Sequence, residues 1–144
     1  MGKKPRGLFA AKKLKERRKK FRFAKKDLYS MYYKIYKKYD PFEGSPLAKG
    51  IVLQKVEIEI KQPHSGLRKC VKVQLTKNGK IVTAYVPWGG IKFVDEHNEV
   101  LLERMGAPQR RAFGDIPGVK FRVIKVNGVS LKELVRGKKE KPSR

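Results

Sequence analysis

VEIEIKQPHSGLRKCVKVQLTKNGKIVTAYVP, residues 56–87, decides the reading of the fold. Val56, Ile58 and Ile60 alternate with Glu57, Glu59 and Lys61. A period of two marks a strand with one face buried. Lys69, Val71, Val73 and Leu75 alternate with Cys70, Lys72 and Gln74 as a second strand. Lys77-Asn78-Gly79-Lys80 then predicts a tight hairpin, because Asn-Gly readily takes the positive φ angles of a type I′ turn. Ile81 to Val86 returns as a third strand, closed by Pro87-Trp88-Gly89-Gly90.

Outward from this stretch, Glu99 to Glu103 reads as a fourth strand and Lys120 to Val126 as a fifth, turned by Asn127-Gly128. Ser130 and Glu133 have the spacing of a capping box, which predicts a short helical turn there. The expected class is mainly β. Five short strands with Gly-rich connections predict a five-stranded OB-type barrel, since closure removes exposed sheet edges. Toward the N-terminus the pattern changes. PFEGSP, residues 41–46, reads as a linker. Before it, Leu28, Tyr32, Ile35, Tyr36 and Tyr39 recur at helical spacing, with Asp27 placed as an N-cap. Five of the six tyrosines lie in this stretch. It suits either an amphipathic helix docked on the module or an aromatic, basic surface laid on RNA. Residues 1–26 carry 13 basic groups and one acid, too few apolar residues to bury, and are expected to be ordered by phosphates rather than alone.

The chain has 144 residues, 37 Lys plus Arg against 13 Asp plus Glu, and a net charge of +24. Residues 1–40 hold 16 basic and 3 acidic groups, residues 41–131 hold 15 and 8, and residues 132–144 hold 6 and 2. The expected organisation is therefore a basic, partly helical N-terminal extension over 1–46, a barrel over 47–131 and a short basic C-terminal tail over 132–144, whose end RGKKEKPSR is expected to be mobile when free. Charge on this scale opposes compaction and calls for a polyanionic partner. No apolar run approaches the ~20 residues of a membrane span, and no apolar segment follows the basic N-terminus as in a secretory signal. The single Cys70 cannot form an internal disulfide, which fits a reducing compartment.

Two loops hold the polar chemistry. KQPHSGLRK, residues 61–69, sets Lys61, Arg68 and Lys69 around Gln62, Pro63, His64, Ser65 and Gly66. Pro63 stiffens the backbone, so the loop either presents carbonyls and a hydroxyl to RNA beside two phosphate-gripping cations, or is a solvated turn. GDIPGVK, residues 114–120, is a second such loop or a plain β-turn, and its Asp115 is placed to cap that turn or to pair with a cation of the first loop. Enzymatic patterns are weak. His64 and His97 have no ligand-spaced cysteine or carboxylate, Ser65 lacks an oriented base, and no phosphate-cradling glycine motif occurs, so no catalytic residue, cofactor or metal is expected. Trp88 suits base stacking or the capping of a barrel end.

KQPHSGLRKCVKVQLTKNGK, VTAYVP and GDIPGVKFRVIKVNGVSL closely resemble the universal small-subunit ribosomal protein S-twelve family, called S-twenty-three in eukaryotes. GLFAAKKLKERRKKFR, KGIVLQKVEIE and RGKKEKPSR extend the resemblance to the archaeal and eukaryotic branch, over nearly the whole chain. The resemblance implies an OB-type barrel whose N-terminal extension threads into ribosomal RNA in the cytoplasmic ribosome. It implies small-subunit rRNA and other small-subunit ribosomal proteins as partners, close to the tRNA–mRNA decoding helix and to elongation factors. It places Lys61, Gln62, Pro63, His64, Ser65, Arg68 and Lys69 in a decoding-centre loop. It places Asp115, Ile116, Pro117 and Gly118 in a second fidelity loop. Lys12, Lys13, Arg17, Arg18, Lys19, Lys20 and Arg22 become phosphate contacts of the arm. The chain departs from the family's usual P-N-S-A by reading Pro63-His64-Ser65-Gly66. His64 is bulkier than Asn and titratable, and Gly66 loosens the loop. Two other classes stay open on the residues alone. A free-standing OB-type RNA-binding protein or RNA chaperone would need an aromatic-rich strand face, where only Tyr85, Phe93 and Phe121 are near. An RNA-processing enzyme would need a carboxylate or metal constellation.

Overall fold

The computed structural model describes residues 6–106 and 114–142, and the chain divides into two compact units, Met1–Gly44 and Ser45–Arg144. In the first unit, α1 (Ala10–Phe23) is built from Ala, Lys, Leu, Glu and Arg, all good helix formers, and buries no residue. The helix expected over 28–39 is two helices instead, α2 (Lys26–Tyr32) and α3 (Ile35–Tyr39). Lys34 has φ 50°, a left-handed conformation that no α-helix continues through. Asp27 falls inside α2 rather than ahead of it. At the end of this unit the Asp40 carboxylate accepts the backbone N–H of Phe42 at 3.2 Å and of Gly44 at 3.0 Å, which turns the chain.

The second unit is mainly β. Its strands are β1 (Leu47–Glu59), β2 (Leu67–Leu75), β3 (Ile81–Tyr85), β4 (Glu99–Arg104), β5 (Phe121–Val126) and β6 (Val129–Ser130). A 3₁₀ turn occupies Gly90–Phe93, and α4 (Leu131–Val135) follows β6. Six strands lie in the order β3-β2-β1-β4-β5-β6. A short parallel pairing of Ala84 with Phe121 and Tyr85 with Arg122 joins β3 to β5, so five strands form a ring. Its interior is the core. Val52, Val71, Val73, Leu102, Val123 and Val126 are each 0% exposed.

Two local expectations give way. β1 starts at Leu47, nine residues before the alternation at Val56, because its early half is apolar on both faces: Val52 is buried while Leu47, Ile51 and Leu53 are exposed. The hairpin at 76–80 is not type I′, since only Gly79 takes a positive φ, 67°. Its N–H reaches the Leu75 carbonyl at 2.9 Å, closing a longer loop. Asn127 (φ 47°) and Gly128 (φ 81°) do form the two-residue turn into β6.

The bulge in β1 decides how the unit is built. Pairing with β2 shifts between Val52 and Gln54. One extra residue moves every later side chain to the opposite face. Val52 pairs with Val73 toward the ring interior, but Val56 pairs with Cys70, and Cys70 with Tyr85, on the other face. There Cys70, Met105, Ile116 and Val119 form a second buried cluster, with Val56, Ile58 and Tyr85 packed against it. β2 is thus buried on both faces at adjacent residues, Cys70 and Val71.

The short helical turn expected after Ser130 is α4, and the chain beyond it reaches back to Asp95. Leu131 and Leu134 of α4 are buried. Ser130 stands at the N-cap of α4 without the side-chain bond of a capping box. Lys141 Nζ lies 2.6 Å from Asp95 Oδ2, Lys55 Nζ lies 3.2 Å from Asp95 Oδ1, and both hold the Asp95 carboxyl below its ordinary range.

Candidate nucleic-acid interface

The second loop is a short apolar anchor with a polar crest. Ile116 (3% exposed) and Val119 (1%) plunge into the Cys70 cluster, while Pro117 and Gly118 stay outside. Gly118 takes φ 74°, a conformation a side chain resists. Burial on this face pushes the Cys70 thiol up to about 11, so it is an inert core group rather than a nucleophile.

Anchored there, the second loop meets the first. The Lys61 N–H donates to the Asp115 carbonyl at 3.1 Å. The Arg68 guanidinium Nη2 donates to Asp115 Oδ2 at 2.8 Å. Asp115 therefore grips both ends of the 61–69 segment, one with its backbone and one with its side chain. The hydrogen bond from Arg68 lowers the Asp115 pKa, with a smaller push from His64, and Asp115 raises that of Arg68. Both side chains are about half exposed, so the pair positions the loops more than it stabilises the fold.

Within the first loop, Ile60 N–H donates to the Gly66 carbonyl at 3.0 Å and His64 N–H to the Lys61 carbonyl at 3.3 Å. The Gln62–Pro63 peptide bond is cis. Lys61, Gln62, Pro63, His64, Ser65, Arg68 and Lys69 are all exposed. A recess of about 430 Å³ opens among them, lined by Glu59, Ile60, Gln62, His64, Ser65, Gly66 and Leu67. A Cβ at Gly66 would sit 3.2 Å from Ile60 Cδ1, so an alanine there is tight against a movable side-chain end.

The two sequence-expected loops are thus brought together, and the possible Asp115–cation pair is with Arg68. The two cations expected to grip phosphate differ from Lys61, because Arg68 is held by Asp115 and the Lys69 ammonium is paired with the Glu57 carboxylate. Glu57 was legible only as a strand residue; its position directly across from Lys69 comes from the β1–β2 register. Trp88 is 51% exposed at φ 57° in the turn after β3. In the first unit, Lys12, Lys13, Arg17, Arg18, Lys19, Lys20 and Arg22 are all exposed on α1. Arg17 lies 5.8 Å from the Phe21 ring centroid and Lys19 6.0 Å from that of Phe23. Among the described residues no group of His, Cys, Asp and Glu is arranged to hold a metal, and no helix is long and apolar enough to cross a membrane.

A strongly cationic chain whose two polar loops are hydrogen-bonded to each other has the chemistry of a polyanion-binding protein. Residues 35–144 match the family described as ribosomal protein S12/S23, and the chain belongs to that family. Membership gives it a structural role in the small ribosomal subunit, with rRNA and other ribosomal proteins as its partners.

Proposed function

We propose that the interlocked loops serve the decoding centre, where they support the accuracy of codon–anticodon recognition. The carrying observation is the double hold of Asp115 on Lys61 and Arg68, which presents the exposed 61–66 crest from a fixed base. RNA is read at close range through 2′-hydroxyls and base edges, and such readout needs preorganised polar groups. On this reading the five-strand ring is of OB type and archaeal or eukaryotic in kind, and Lys61, Gln62, Pro63, His64 and Ser65 face rRNA bases. Asp115, Ile116, Pro117 and Gly118 hold that geometry, near the tRNA–mRNA helix and elongation factors, in the cytoplasmic ribosome. The α1 cations bind phosphates and supply the salt-dependent part of the affinity. Fidelity then arises from a contact free energy that differs between closed and open subunit states, of order 1–3 kcal/mol.

The test uses cells in which this chain is the sole copy. Lys61→Ala and Pro63→Ala are expected to change near-cognate misreading several-fold while small-subunit yield on sucrose gradients stays unchanged. Neutralising the seven arm cations is expected to lower subunit yield instead. Equal loss of yield and accuracy from the loop variants would refute the division of roles. A free-standing RNA-binding or chaperone role would show as binding to messenger and other RNAs, with no enrichment at the decoding region on crosslinking.

A further inference from the structure

We propose that the cleft between α1 and α2 holds one unstacked nucleotide of single-stranded RNA, base against its aromatic floor and phosphates on its rim. This rests on the reading of the chain as an rRNA-bound protein and assigns a specific site to its arm.

The cleft has a volume of about 470 Å³, inside the roughly 300–1,000 Å³ range of ligand clefts. Its rim is Lys15, Arg18, Lys19 and Arg22, and its floor includes Phe23 and Tyr32. Positions 15, 18, 19 and 22 follow i, i+3, i+4, i+7, the stripe that a packed helix normally fills with apolar residues. Here all four are cations turned toward a second helix. Among the described residues no Asp or Glu lines the cleft. Their mutual repulsion along one face of α1 is relieved when an anion binds there.

The floor selects what that anion carries. Phe23 and Tyr32 meet edge to face, with centroids 4.9 Å apart and planes at 68°. Tyr32 is 63% exposed, so ring surface remains open to a ligand. A planar apolar group joined to phosphates fits both features, and a nucleotide is that combination. Base pairing would bury the base edges and stack its faces, so a duplex cannot fill the cleft. An acidic amphipathic helix would satisfy the cations, but its aliphatic face offers no planar group for the aromatic floor.

The experiment measures binding of the full chain to a fluorescent oligouridylate of about ten nucleotides. Two further probes are the same strand with one central abasic ribose and a duplex of equal length. Phe23→Leu/Tyr32→Leu keeps apolar packing and removes the π faces, and Tyr32→Phe keeps the face. The double variant is expected to lose about tenfold on the intact strand, the size of one stacking contact. Duplex and abasic affinities should be unchanged and Tyr32→Phe should match the wild type. A 5-iodouridine in the strand should crosslink to Phe23 or Tyr32 on irradiation. Equal losses on all three probes, no loss, or crosslinks mapping only to the second unit would overturn the site while leaving the RNA-binding reading intact. Salt-independent or absent binding by the wild type to every probe would instead refute the underlying reading. Displacement of all three probes alike by an acidic amphipathic peptide, with no dependence on the base, would assign the cleft to a protein partner and overturn the proposal.

Discussion

Truncating Ile116 to alanine separates packing from polar bonding as the force that holds the second loop in place. Ile116 is 3% exposed and packs with Cys70, Met105 and Val119, themselves 0%, 5% and 1% exposed. Removing a buried isoleucine side chain down to Cβ costs about 2–5 kcal/mol, less where neighbours relax into the space. Met105 is unbranched and fills gaps readily. The cluster also lies under a loop rather than in the ring interior, so it collapses more easily. The expected cost is therefore in the lower half, about 2–3 kcal/mol, which for a unit of this size lowers Tm by roughly 10–20 °C. The assay is urea unfolding of the full chain followed by circular dichroism, together with amide hydrogen exchange at Lys61. That amide donates to the Asp115 carbonyl at 3.1 Å, so it reports directly on the second loop. The midpoint should fall with the m-value unchanged, and Lys61 should exchange faster. Ile116→Val should cost about 0.5–1.5 kcal/mol and grade the response. An unchanged midpoint together with unchanged exchange at Lys61 would refute the claim that the Cys70 cluster carries the loop.

The Arg68 bond lowers the Asp115 pKa, so the contribution of the pair is present above the ordinary carboxylate range and disappears as pH falls through the depressed value. A carbon-13 titration should find Asp115 ionising below that range, and Arg68→Ala should return it upward; an unmoved midpoint would mean that the guanidinium does not sit on Asp115 in solution. Gly50→Ala should destabilise the ring by about 1–3 kcal/mol, because a Cβ there would stand 2.6 Å from the backbone oxygen of Gln74 on β2. A wild-type melting temperature for that variant would show that β1 and β2 do not approach so closely at this point.

Much of the fold was legible because it rests on local rules. The alternation from Lys69 to Leu75 was plain from period two, and the strands near Ile81, Glu99 and Lys120 fall where the sequence places them. Asn127-Gly128 announced its turn by its own φ preference. Where local rules were silent or double-valued, the reading slipped. The first half of β1 shows no alternation, because Ile51 and Leu53 are apolar yet exposed. The tyrosine stretch has a helical period that continues across Lys34, but a left-handed residue interrupts the backbone while leaving the spacing of side chains intact. In the tail, Lys141 finds Asp95, 46 positions earlier, a partner no local pattern names.

The candidate site divides in the same way. Composition alone determined that this chain neutralises a polyanion, since 37 basic against 13 acidic side chains are a property of the sequence at any conformation. The order of residues determined that two short Gly- and Pro-containing loops carry the polar chemistry. Which residues of those loops share a surface was decided only in three dimensions. One bulged residue in β1 turns Val56 and Ile58 to the outside of the ring, where with Cys70 they make an apolar floor. Ile116 and Val119 settle on that floor because burying them there is favourable, and Asp115 is carried with them to Arg68 and Lys61. Contacts between residues 47 positions apart depend on strand register and on packing, and neither is written in the spacing of the residues themselves.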